Sequence, residues 1–458
     1  MADIADPLPF QTHALPVKQR EEKGHALREA AKRRAHAGWT VAKRDPIDIL
    51  IEQDKVRLQE LVPLRYARMK ASPFAFLRGS AKVMATDLAT TPSNGLMVQA
   101  AGDCHCLNFG GFATPERRLS FDLNDFDETS VAPWEWDVKR LAASFVVATL
   151  QDFDKETRLD LAQTVARAYR GEMAVLAASP ILETWYRVLE LDNDKVVDSI
   201  GLDPAPARKA DRALKHRPML IDIAHSGGTQ PKLQDKLPDL YHPKSADAAE
   251  FMSGVEELLR QYTQSMIPER RVLIERYRLA DAAFKVVGVG SVGTLCGVAL
   301  MVSGDGETLQ LQFKEADASV LEDASQRPSP YANHGERVVR GQRLLQAASD
   351  ILLGFGVGPR GKDLYVRQLR DAKVKPVLDN LPERNFRRYA RTCGEVLARA
   401  HARSTDALVM SAYLGKNTTF DEAIGQFALG YAKQTVSDHA ALVSAIKSGR
   451  LPAEPQDS

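Results

Sequence analysis

Gly102-Asp103-Cys104-His105-Cys106-Leu107-Asn108, followed by Asn124-Asp125-Phe126-Asp127, is the stretch on which the reading of this chain turns. It places an acid, an amide five positions on, and an acidic pair within one short loop–strand–loop. Phosphoryl transfer uses such a set: one carboxylate near an attacking hydroxyl, an amide and a second carboxylate holding Mg²⁺ on nucleotide phosphates. A polar turn between short strands, where Asp and Asn are common, is the plain alternative. A zinc site at Cys104-His105-Cys106 is a third reading, weakened because no distant pair stands at zinc-like spacing.

A second feature lies far downstream. Gly288-Val289-Gly290-Ser291-Val292-Gly293 is a GxGxxG pattern, weak by itself. In a dinucleotide-binding fold the third glycine opens a helix. Here Thr294 to Val302 carries β-branched residues into Ser303-Gly304-Asp305-Gly306, so a hairpin fits better. A ligand-free glycine turn and a phosphate-binding loop both remain open. In the second case Gly288, Gly290, Ser291 and Gly293 bring backbone amides to phosphates, and Lys314, after alternating Leu309, Leu311 and Phe313, meets phosphate oxygens. The helix beyond should supply an acid to orient that lysine. Glu336 is the first choice, with Glu315 and Glu322 as rivals; a first-turn glutamate favoured by the helix dipole is the bland alternative for Glu336.

Composition bounds the rest. The chain has 458 residues, 44% hydrophobic and 26% charged, with a formal net charge of +1. That suits a soluble protein of two lobes and gives no global field for nucleic acid or membrane. Four cysteines make no disulfide framework, which points to the cytoplasm. Met1 to Phe10 lacks a signal-peptide pattern, and no apolar run is long enough to span a bilayer. In Lys18 to Arg34, Glu21, Glu22 and Glu29 interrupt the positive charge, favouring a solvated helix over a nucleic-acid contact.

Periodicity predicts an amphipathic helix over Ile47 to Lys70, started by Asp45-Pro46, and a second from Ser72-Pro73 through Met84. Leu96 to Ala100 and Leu119 to Leu123 read as strands leading into the two acidic loops. Helices are expected over Asp137 to Asp152, Lys155 to Ala178, Ala248 to Gln264, Gly335 to Leu353, Asn385 to Arg403 and Asp421 to Lys447. Pro218 to Lys244 reads as a long surface loop covering an acceptor site. Tyr277 to Phe313 is β-like, and Leu364 to Leu369 is a further strand. Asp137, at the head of its helix, reads as a cap, and in a kinase-like arrangement it would also brace the Asp103 loop from beneath. Arg65, Arg68 and Arg78 are read as structural ion-pairing residues before an anionic-substrate role.

Gly102-Asp103-x-His105-x-x-Asn108 resembles the catalytic motif of aminoglycoside and choline phosphotransferases, and Asp125-Phe126-Asp127 with Asp137 resembles their metal motif and the following helix start. Leu397-Ala398-Arg399-Ala400-His401-Ala402 resembles the helix that precedes their catalytic loop. The chain from Pro46 onward also resembles a bacterial family labelled as a domain of unknown function, through Ser72 to Gly79, the Gly102 loop and Arg337 to Arg343. The resemblance implies a kinase-like fold whose parts run in cyclic rather than ordinary order, a circular permutation, tolerable because domain termini often lie close together.

The expectation is therefore an α+β, bilobal, circularly permuted protein-kinase-like fold. It has a polar arm at 1–45, a helical lobe with catalytic and metal loops at 46–270, a β-rich nucleotide lobe at 271–370, and helices returning to the helical lobe at 371–458. ATP and Mg²⁺ are the implied cofactors. Asp103 faces an unidentified hydroxyl acceptor, a small molecule; Asn108, Asp125 and Asp127 hold the metal; Lys314 and Glu336 serve the phosphates. A nucleotide-binding pseudokinase, a nucleotidyl transferase moving AMP to protein, and a non-enzymatic scaffold are the alternatives.

Overall fold

The computed structural model describes residues 15–215, 223–224, 231–244, 246–286, 288–369 and 372–452. Met1 to Phe10, Ser226 to Gly228, Val287 and Arg370 lie outside them.

The described part of the polar arm carries a docked helix. Arg20 of α1 (Val17–Ala30) forms a two-point ion pair with the buried Asp406, at 2.7 and 2.6 Å. The helix expected over Ile47 to Lys70 is two, α2 (Pro46–Asp54) and α3 (Val62–Lys70). Asp45 caps the first, accepting from Ile47 N at 2.8 Å, with Pro46 at the first helical position. The next also divides, at Ser80, into α4 (Pro73–Gly79) and α5 (Ala81–Leu88), with Ser72 capping α4.

Four short strands follow: β1 (Met97–Ala100), β2 (Phe109–Ala113), β3 (Leu119–Leu123) and β4 (Ser130–Pro133). β1 pairs with β4 and β2 with β3, both antiparallel. The Gly102 loop joins β1 to β2, and the Asn124 loop joins β3 to β4. Then come α6 (Trp134–Ala148), α7 (Lys155–Ala178), α8 (Ile181–Tyr186), α9 (Asp194–Ser199) and α10 (Pro204–Lys215).

The stretch read as a surface loop contributes β5 (Ile223–Ala224), β6 (Lys232–Leu233) and β7 (Leu240–Tyr241). Leu233 and Leu240 are buried against Ala283, Val298 and Leu300 of the main sheet, which anchors the stretch to that sheet at two points. After α11 (Ala248–Ser265) and α12 (Pro268–Ile274) come β8 (Tyr277–Lys285), β9 (Cys296–Ser303) and β10 (Thr308–Glu315). Next are α13 (Val320–Ser325), α14 (His334–Leu345), β11 (Gly354–Val357) and β12 (Asp363–Gln368). The chain ends in α15 (Glu383–Ala402), α16 (Ala407–Leu414) and α17 (Thr419–Lys447).

The main sheet is antiparallel, in the order β11-β12-β10-β9-β8-β7. Alternation gives it two unlike faces. Leu311, Phe313, Leu364 and Val366 form one core with Val255, Leu258 and Tyr262 of α11. The opposite face carries Gln312, Lys314 and Tyr365, polar yet buried. α11 thus lies against the sheet although it precedes the expected lobe boundary at 270. A larger core joins α6, α7, α15 and α17 through Trp134, Phe145, Tyr169, Tyr389 and Phe427. The chain is α+β, mostly helical, with a small antiparallel sheet.

Candidate functional site

Asp103 lies in the loop leaving β1. Gly102 before it has φ of +86°, and a side chain there would collide with the Glu128 carbonyl, so this turn requires glycine. Asp137, in the first turn of α6, does not cap its helix, whose N-cap is Pro133 with no side-chain bond; it braces the Gly102 loop instead. Its carboxylate accepts from Ala101 N at 2.6 Å and Gly102 N at 3.0 Å, and stands 3.1 Å from His401 Nε2 at the end of α15. His401 in turn contacts the Tyr169 hydroxyl through Nδ1 at 3.0 Å. The loop is thus fixed from beneath by two helices.

The Asp103 carboxylate receives Arg140, whose Nε donates at 2.7 Å and whose Nη2 makes a second contact to the same oxygen. Burial pushes the Asp103 carboxyl up, and the Arg140 guanidinium works against that rise. Arg140 is three residues, one helical turn, after Asp137; that spacing was the available signal for a residue absent from the sequence reading. Asn108 Nδ2 donates to the Asp103 carbonyl at 2.7 Å. The amide nitrogen being so used, Oδ1 is the atom left for a cation.

Across the cleft, Lys314 Nζ meets the Asp127 carboxylate. Tyr365 on β12 donates its hydroxyl to the other oxygen of Asp127 at 2.7 Å, and the Ser291 hydroxyl approaches at 3.4 Å. Burial raises the Asp127 carboxyl, but the Lys314 ammonium and these hydrogen bonds outweigh it and hold it below the ordinary range. Asp125 differs. Burial first, and the Asp127 charge second, push its carboxyl up, and Asp127 N approaches it only at 3.5 Å.

The glycine loop is seated on the N-terminal helices. Arg68 Nη1 donates to the Gly288 carbonyl, Arg57 Nη1 to the Val292 carbonyl, and Leu58 N to the Gly293 carbonyl, each at 2.7 Å. A Cβ on Gly290 would stand 3.0 Å from the Arg78 carbonyl oxygen. Nothing in the GxGxxG spacing foretells this seat, because its donors lie more than 200 positions upstream.

One cleft of about 370 Å³ is lined by Asp103, Asn108, Asp125 and Asp127 from one side and by Gly288, Gly290 and Ser291 from the other. Gly293 faces Arg57 rather than the cavity, and Lys314 stands behind Asp127. Glu336 is not brought to Lys314: its carboxylate takes Arg340 at 3.1 Å on its own helix. The rivals are also occupied, Glu315 by Lys362 at 2.6 Å and Glu322 by capping α13. Asp127 is the acid that meets the lysine. Glu336 fails for a local reason: Asn333 caps α14 at its amide, and the i,i+4 arginine satisfies it.

Hard oxygens on Asn108 and Asp125 fit Mg²⁺, which takes few protein ligands beside phosphate and water. Among the described residues no group of three or more His, Cys, Asp or Glu side chains could hold a metal alone. Burial pushes the Cys106 thiol up to about 12 and that of Cys104 well up.

Searches of curated proteins and of solved structures return no match. No helix among the described residues is long and apolar enough to cross a membrane. A family profile described as "Uncharacterized protein conserved in bacteria (DUF2252)" matches residues 57–445, from the arginine that seats the glycine loop to the last turn of α17, and the chain belongs to that family.

Proposed function

We propose that this protein transfers the terminal phosphoryl group of ATP, with Mg²⁺, to a hydroxyl on a small acceptor, in a circularly permuted kinase-like arrangement. The observation that carries the reading is the contact of Lys314 with Asp127, which lines one cleft together with Asp103, Asn108 and Asp125. The cyclic order supports it. Glycine loop, lysine strand, following helix and strands β11 and β12 come late in the chain; α15 places His401, in its last turn, against Asp137 beneath the Asp103 loop, which itself comes early.

In this reading Asp103 accepts the proton of the attacking hydroxyl as its oxygen bonds to the γ-phosphorus, and the bond to the bridging oxygen breaks to release ADP. Arg140 fixes the carboxylate in line, and Asp137 fixes the backbone that carries it. Asn108 and Asp125 would hold Mg²⁺, which neutralises phosphate charge when bound. Lys314 leaves Asp127 for the phosphates.

A second reading is nucleotide binding without transfer. Arg140 favours it, because an ion-paired carboxylate is a weaker base. The test uses ATP labelled separately at the α- and γ-phosphates, with bacterial extract as acceptor source. Transfer of γ-label by the wild type, lost in Asp103→Asn with nucleotide binding retained, supports the proposal. Binding without transfer favours the second reading, and α-label on protein would mean nucleotidyl transfer.

A further inference from the structure

Among the described residues, the cations that line the cleft are Arg57, Arg78 and Lys82, and Arg78 stands apart from the other two and from the cations behind them. Lys314 is on Asp127, Arg140 on Asp103, Arg57 on the Val292 carbonyl, and Lys82 on Asp323 at 3.3 Å. Arg65 is on Asp54 at 2.8 Å, and Arg68 on the Gly288 carbonyl. Arg78, at the end of α4, lines the cleft, and its Nε is buried with no hydrogen-bond partner. No ion pair engages it among the described residues; its guanidinium rests 6.0 Å from the Phe74 ring centroid. It is near enough to Asp103 to draw that carboxyl down, and its own carbonyl abuts Gly290. Arg78 therefore stands where the tip of the glycine loop and the Asp103 carboxylate converge.

Arg78 is half-buried, but its Nε has given up hydration with nothing in return, and the guanidinium presents to the cleft a planar fork of donors suited to phosphate or carboxylate. The cleft is otherwise rich in carboxylates, including Glu52, Glu128, Asp317 and Asp323. An anion entering it needs a fixed positive contact. We infer that Arg78 is the receptor for a phosphate-type oxyanion beside Asp103, supplied either by the terminal phosphate of the nucleotide or by an anionic group on the acceptor. The choice between those sources rests on the proposed nucleotide reading; the anion site itself does not.

The test compares wild type, Arg78→Gln and Arg78→Lys by titration calorimetry with MgADP, MgAMP-PNP and inorganic phosphate, with melting temperature as the folding control. MgADP is expected to bind all three alike. If the nucleotide is the source, MgAMP-PNP binds wild type more tightly than MgADP, and Arg78→Gln loses about tenfold or more of that gain. If the acceptor is the source, the gain survives, but phosphate added over saturating MgADP binds wild type and not Arg78→Gln. Arg78→Lys, keeping charge without the fork, falls between and serves if the Gln variant does not fold. Equal binding of every probe by wild type and the variants overturns the inference. Should MgADP bind none of the proteins, the nucleotide reading fails, and phosphate alone on wild type against Arg78→Gln still decides the anion site.

Discussion

Lys314 and Asp127 are in contact although 187 positions separate them. The lysine is buried at the end of the third long strand, and the carboxylate is anchored a second time by Tyr365. Burial lowers the Lys314 ammonium, yet Asp127, Tyr365 and Asp125 together raise it well above its ordinary value, so it stays charged. Removing Asp127 leaves the buried Lys314 unpaired, at a cost of about 3–5 kcal/mol, whereas removing Lys314 leaves the half-buried Asp127 still held by Tyr365 and costs less. Asp127→Asn should lower the urea midpoint accordingly, and Lys314→Met by less. Lys314→Met with Asp127→Asn should lose less than the sum of the single changes, the signature of direct coupling.

Tyr365→Phe removes one hydrogen bond to a charged oxygen and no volume of consequence. It should cost about 1.5–3 kcal/mol in equilibrium unfolding. It should cost less in the Asp127→Asn background, where the acceptor is no longer charged.

Asp137→Ala strips the Ala101 and Gly102 amides of their shared acceptor and leaves His401 facing a void. Each abandoned buried donor costs about 1–3 kcal/mol. Phosphoryl transfer should fall with stability, because the loop bearing Asp103 loses its anchor. Asp137→Asn should be milder, since one amide oxygen can still accept.

His36 gives a pH prediction. It is fully buried, 2.6 Å from the Tyr413 hydroxyl, and burial, helped by the Lys139 charge, lowers its pKa to about 3. An unfolded histidine titrates near ~6.5. The stability from keeping this ring neutral is complete above that value and is lost as pH falls toward 3. At pH 5 the loss from this group alone is about 2 kcal/mol relative to neutral pH. His36→Gln should flatten the slope of unfolding free energy between pH 7 and 5.

Local chemistry made much of this legible. Asp45-Pro46 and Ser72-Pro73 start helices as their types dictate, and α7 spans the residues its periodicity marks. The helix breaks near Leu58 and at Ser80 were not legible, because the apolar stripe runs on through both. At the first, Leu58 N turns aside to the Gly293 carbonyl, a tertiary bond with no local trace. The acids of the site stood out because their spacing is short. Their partners Arg140 and Tyr365 come from other elements, and Glu336 misled because a helix-start glutamate looks alike whether it faces a lysine strand or solvent.

The account rests on a single triphosphate bridging the glycine loop, Lys314 and Asp125. Titration calorimetry of ATP with and without Mg²⁺ on wild type, Lys314→Met and Asp125→Asn tests it most directly. The account predicts Mg²⁺-dependent binding at one site, weakened by about tenfold or more in each variant. Binding to folded Lys314→Met and Asp125→Asn with wild-type affinity, or no binding by wild type at millimolar ATP, would contradict it.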